Sequence, residues 1–193
     1  MSEDVELVSR ILDGDIKAFE ALYHKYKRKL YYTALGITGD SGAAEEILQD
    51  SFVRAYAAMG RVDASVSLAP WLYRIAVNLS YNWTNRHRHW SLDIDKWVER
   101  LIAGPAVSPE NAAEGGELRD VVQEAVASLG FKQRAVVILF YLQGFSLSEI
   151  AYILDCPVGT VKSRLHYACK ALRQKLSSDT RLTGEVAYGT SWR

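Results

Sequence analysis

The stretch Phe145–Leu176, FSLSEIAYILDCPVGTVKSRLHYACKALRQKL, decides how the second half of the chain folds. Ser146 and Glu149 stand at the spacing of a capping box, so a helix with a defined entry starts there. That helix is short, buries Ile150, Ala151 and Leu154, and ends at Asp155-Cys156-Pro157. Ala151 is small where two helices must cross closely. Beyond the turn, Val161, Leu165, Ala168, Leu172 and Leu176 recur at helical spacing and keep a second helix packed. Its outward face presents Lys162, Ser163, His166, Tyr167 and Lys170, with Thr160 near the N-terminus. Two helices joined this way resemble a helix-turn-helix, whose second helix brings its N-terminal residues to base edges in the major groove. The alternative is an ordinary helical hairpin with a solvated basic face. Acid-free charge, the capping box and the small crossing residue together favour DNA binding.

Working outward, Asp155 stands where a helix-turn-helix often has glycine. Aspartate tolerates positive φ better than most residues, so the turn is expected to survive. Upstream, a helix is expected from Lys132 to Gln143, stopped by Gly144. Before it, Leu118, Val121, Val122, Ala125 and Leu129 mark another helix, beginning near Glu117. Between Ser91 and Gly116 the pattern breaks. Gly104-Pro105, Ser108-Pro109 and Gly115-Gly116 read as an acidic linker, with one amphipathic turn over Trp97, Val98, Leu101 and Ile102. The tail over 177–193 has little periodicity and is expected to be mobile.

The first half is helical in spacing as well. Val5, Val8, Ile11 and Leu12 predict a short helix that Gly14 stops. Asp15 is a good N-cap for a second helix, with Phe19, Leu22, Tyr23, Tyr26 and Leu30 along one stripe. Ser41 is expected to cap a third helix that buries Ala44, Ile47, Leu48, Phe52 and Tyr56 and ends near Gly60. A polar loop follows. A fourth helix is then predicted from Pro70, at its first position, to about His89. Leu72, Ile75, Ala76, Leu79 and Trp83 form its core stripe. Arg74, Asn78, Tyr81, Asn85 and Arg88 recur on another face, combining groups that contact phosphates, base edges and unstacked bases.

Composition limits the function classes. The chain has 193 residues, 49% of them apolar, with four prolines and a formal net charge of zero. Distribution matters more than the sum. Trp71–Trp90 carries Arg74, Arg86 and Arg88 and no acid, and Cys156–Leu176 carries Lys162, Arg164, Lys170, Arg173 and Lys175 and no acid. Two anion-binding surfaces or ordinary solvated helix faces fit that pattern equally, and charge alone does not decide. The apolar runs are too short to span a bilayer, and the polar, acidic start is unlike a signal peptide, so a cytoplasmic protein without membrane insertion is expected. Cys156 and Cys169 give no disulfide framework. Neither they nor His87 and His89 have metal-ligand spacing, so no metal or other cofactor is expected. No phosphate loop or nucleophile with a base stands out, which argues against an enzyme.

The run EIAYILDCPVGTVKSRLHYACKALRQKL is similar to the fourth conserved region of bacterial sigma factors, especially the extracytoplasmic-function (ECF) group. GDIKAFEALYHKYKRKLYYTALGITGD, AEEILQDSFVRAYAAM and PWLYRIAVNLSYNW resemble that group's second region, in the right order. The resemblance covers about Asp15 to Leu176. It implies an all-α protein of two small helical domains on a flexible linker: region 2 over 1–90, linker over 91–116, region 4 over 117–176. It assigns Gln49, Asp50, Phe52 and Arg54 to docking on core RNA polymerase. It assigns Arg61, Ser67, Arg74, Asn78, Tyr81, Asn82, Asn85, Arg86 and Arg88 to opening the promoter −10 element and holding a flipped base. Thr160, Lys162, Ser163, Arg164, His166, Tyr167 and Lys170 would read the −35 element. Such proteins are usually held inactive by an anti-sigma factor, here expected to be membrane-linked, and the free chain is expected to be a monomer. Gly130 stands where the family usually places proline, which puts the start of the following helix in doubt. Two other readings remain: a stand-alone helix-turn-helix regulator, and a sigma-like interaction module without promoter activity.

Overall fold

The computed structural model describes residues 3–61, 68–87, 114–179 and 181. The expected linker as far as Ala113, its amphipathic turn, Ser67, Arg88 and the tail beyond Arg181 lie outside the described residues, while Glu114–Gly116, read from the sequence as linker, open a helix. Every regular element among the described residues is helical. The first half comprises α1 (Glu3–Leu12), α2 (Ile16–Thr38), α3 (Ser41–Ala58), a short 3-10 turn (Met59–Arg61) and α4 (Leu68–Arg86). The second comprises α5 (Glu114–Ala127), α6 (Phe131–Val137), a π-turn (Ile138–Leu142), α7 (Leu147–Ile153) and α8 (Val158–Ser177).

Local chemistry explains most boundaries. Asp15 caps α2 by accepting from the backbone N–H of Lys17 at 2.9 Å and Ala18 at 3.3 Å. Its carboxyl is held below the ordinary range, chiefly by the Arg10 guanidinium, whose Nη2 lies 2.7 Å away. Gly39 ends α2 in the left-handed region at φ 75°, donating to the Leu35 carbonyl. Asp40, not Ser41, caps α3 by accepting from Ala43 N–H at 2.7 Å; Ser41 is the first helical residue. The carboxylate one residue earlier reaches the free N–H groups of the first turn better than the hydroxyl does. The fourth helix begins at Leu68, so Pro70 sits third rather than first. That costs nothing, because N–H groups in the first turn have no intrahelical partner to lose.

Helices α2, α3 and α4 pack around Leu22, Leu30, Leu35, Ile37, Ala44, Leu72, Ala76 and Val77, and α1 packs on α2 and the 3-10 turn with Leu7, Val8 and Ile11 buried. Tyr26 donates to Asp4 at 2.6 Å, and Lys25 bridges Glu3 and Asp4, which fastens α1 to α2. In the second half, Leu129, Val137 and Ala168 hold α6 against α8. Gly130 caps α6 with φ −60°, a value that proline also adopts, so the helix starts there without it. At the far end Arg181 pairs with Glu124 at 2.7 Å and Asp179 at 2.8 Å, and holds the Asp179 carboxyl down to about 2. Arg181 is therefore tied to α5.

The two halves are not separate. One apolar cluster runs from the α2–α4 core through Ile138, Leu139, Ile150 and Ile153, and α4 lies directly against α7.

Candidate nucleic-acid interface

The capping box expected from Ser146 and Glu149 is present. Ser146 Oγ accepts from Glu149 N–H at 3.3 Å, and the Glu149 carboxylate accepts from Ser146 N–H at 2.8 Å. Helix α7 therefore enters at a fixed point and buries Ile150 and Ile153 completely, while Leu154 is half-buried. Replacing Ser146 with alanine should cost about 1 kcal/mol of stability in urea unfolding, with the far-UV helical signal retained. No change in the transition midpoint would mean that the box does not support α7.

The connection to α8 is tight. Asp155 adopts φ 49°, and Cys156 N–H reaches back to the Ala151 carbonyl at 3.0 Å. Helix α8 then turns its apolar stripe inward through Val161 and Ala168. Lys162, Ser163, His166, Tyr167 and Lys170 are all exposed, and Thr160 is half-buried at the helix start. Arg164 differs from its neighbours. It is half-buried, and its Nη1 lies 3.5 Å from Cys156 Sγ, so it braces the turn. A run of exposed cations and hydroxyls over two helical turns can engage phosphates and base edges at once.

On α4, Asn78, Tyr81, Asn82, Asn85 and Arg86 are exposed, giving a face of amides, a phenol and a guanidinium. Arg86 Nε donates to the Asn82 carbonyl at 3.3 Å, and the His87 ring stacks on Trp83 at 4.4 Å. Arg74 does not join this open face: it is half-buried and turned toward α7. Arg61 closes the 3-10 turn after α3.

On α3, Gln49, Asp50 and Arg54 are exposed, as the sequence suggested. Phe52 is not available for contact. It is 5% exposed and packs edge-on against Phe19 and Tyr23, because its side chain points at α2. The sequence reading also placed Tyr56 in the core, yet it is 54% exposed, with Val53 at 67% beside it. Ile16 and Leu12 add further exposed apolar surface on α2 and α1. Sequence reasoning missed Val53 and Ile16. The available signal was that Val53 falls outside the Ala44–Ile47–Phe52 stripe and so had to face outward.

Two family models match this chain, one in each half. Residues 22–89 match the family "Sigma-70 region 2", and residues 119–172 match "Sigma-70, region 4". The chain is 35% identical over 181 residues to the ECF RNA polymerase sigma factor SigW of Bacillus subtilis (strain 168), covering 88% of this chain and 94% of that protein. It is 36% identical over 180 residues to the ECF RNA polymerase sigma-E factor of Escherichia coli (strain K12), covering 90% and 94%. Among solved structures, the sigma factor RpoE of Bartonella quintana, bound to the anti-sigma factor NepR, superposes with TM-score 0.64 at 27% identity over 84% of this chain and 99% of that one. CnrH, solved with the cytosolic domain of CnrY, shares the fold with TM-score 0.71 at 22% identity, over 93% of this chain and all of that one. With both regions matched in order and relatives of this identity spanning almost its whole length, the chain belongs to the ECF family of RNA polymerase sigma factors.

Proposed function

We propose that this chain binds core RNA polymerase and directs it to specific promoters. In this reading 1–90 acts as region 2, 91–116 as a linker and 117–176 as region 4. The observation that carries it is that one chain holds both an exposed amide and aromatic face on α4 and an exposed basic face on a helix-turn-helix. Lys162, Ser163, His166, Tyr167 and Lys170 read the −35 duplex, with Thr160 at the helix start and Arg164 setting the turn. Asn78, Tyr81, Asn82, Asn85 and Arg86, with Arg74, Arg61, Ser67 and Arg88, receive the −10 strand as it opens. Unstacked bases are costly to strand, so a face supplying stacking and hydrogen bonds sets where melting starts. Core polymerase docks on Gln49, Asp50 and Arg54, and the adjoining Val53 and Tyr56 give that contact an apolar centre, with Phe52 supporting it from beneath.

Catalysis belongs to the polymerase; this protein contributes affinity, specificity and strand opening, with no cofactor of its own. An anti-sigma factor, membrane-linked, holds it inactive. The anti-sigma factor NepR, bound to the similar sigma factor RpoE, is the support for an anti-sigma partner. No helix among the described residues is long and apolar enough to cross a membrane; the proposal takes the free chain as a monomer acting in the cytoplasm.

The deciding experiment is transcription in vitro from a pool of random promoters, using core polymerase with and without the protein. Start sites that depend on the protein and share two spaced elements are expected. Binding to polymerase without new start sites would favour an interaction module. Failure to bind polymerase would overturn the reading in favour of a stand-alone regulator.

A further inference from the structure

The seam between the two halves uses residues expected to face DNA. Arg74, on α4, donates through Nη1 to the Tyr152 carbonyl at 3.1 Å, pairs through Nη2 with Asp155 Oδ1 at 3.1 Å, and lies 5.2 Å over the Tyr152 ring. Next to it Tyr73, 2% exposed, donates to Gln143 Oε1 at 2.7 Å and packs edge-on against Phe145 at 4.7 Å. Further along α4, Tyr81 meets the Phe131 ring at 4.9 Å. The −10 face of α4 and the helix-turn-helix domain thus partly cover each other.

Asp155 is the residue that needs explaining. Among the described residues it is the one non-glycine with positive φ, in a turn where glycine sits without strain. What aspartate adds is a carboxylate, and that carboxylate is on Arg74 across the seam. We propose that Asp155 is an intramolecular latch: it holds the Arg74 guanidinium on the helix-turn-helix turn, so that the free chain rests closed with part of its −10 face covered. The inference rests on the reading of Arg74 as a −10 contact. DNA phosphate competes for the same guanidinium, so promoter binding and latch opening are one exchange of anions on one cation. The pair is open to solvent, with the Asp155 side chain 77% exposed, so salt weakens it.

The test uses the full chain as wild type, Asp155→Asn, Arg74→Glu, and the double variant carrying both changes. Asparagine is well tolerated at positive φ, so Asp155→Asn removes the charge and keeps the turn. It should speed open-complex formation with core polymerase by about threefold, the scale of one exposed ion pair. Arg74→Glu sets like charges against each other, and small-angle scattering without polymerase should show an expanded chain, more so at low salt. The double variant should be compact again, because the repulsion is gone. A wild-type radius of gyration for Arg74→Glu, together with an unchanged rate for Asp155→Asn, would overturn the latch. If scattering behaves as expected but Arg74→Glu opens promoters as well as wild type does, the latch stands and the −10 reading of Arg74 fails.

Discussion

Replacing Ile153 with alanine should cost about 2–5 kcal/mol of stability, the range for a large apolar side chain deleted from a closed core. Ile153 is fully buried at the C-terminal end of α7, within the cluster that joins the helix-turn-helix to the α4 side of the molecule. Packing on both flanks leaves little room for collapse into the vacated space, which places the effect in the upper half of that range. The measurement is urea unfolding followed by far-UV circular dichroism. Selection of the −35 element should fall as well, because α8 is held at its working angle by α7. A loss below about 1 kcal/mol would mean that neighbouring side chains refill the space and that the joint core is looser than described.

Lys162→Ala should act in the opposite way, leaving stability unchanged and weakening use of the upstream promoter element by at least about tenfold. Lys162 is exposed at the start of the second turn of α8. The readout is promoter selection in the random-pool experiment: the shared upstream element should lose definition while the downstream element keeps its sequence. Equal loss at both elements would point to a general phosphate contact, and a lower unfolding midpoint would point to a structural role.

How far the sequence carried depends on how local each feature is. The capping box of Ser146 and Glu149, the Asp15 cap and the αL turn at Asp155 all rest on residues within a few positions of one another, and they were legible. The α8 face was legible too, because its apolar stripe is regular. Helix α3 is harder. Two neighbours compete for it, with Phe52 turned toward α2 and Tyr56 left at the surface, and periodicity does not show which aromatic lies between helices. On α4, the core stripe was read through Leu72, Ala76 and Leu79, but Tyr73 and Val77 are buried as well. Tyr73 is covered from the other side by Gln143 and Phe145 of the second half, and such contacts have no local signature. Arg74 was placed on the open polar face for the same reason. The residue that captures it lies 81 positions away, at Asp155.

The π-turn at Ile138–Leu142 has a consequence for insertions and deletions. Gln143 N–H bonds to the Ile138 carbonyl at 3.1 Å, one residue further back than a regular helix would place it. The segment thus carries one residue more than an unbroken α-helix over the same rise. That extra residue rotates everything after it by about 100° relative to regular helix phase, which sets Gln143 opposite Tyr73. Removing one residue here, Tyr141 for instance, would turn the same bond into an ordinary helical one and leave Gln143 and Phe145 facing α4. The turn therefore lets this stretch gain or lose one residue without re-aiming one half of the protein against the other.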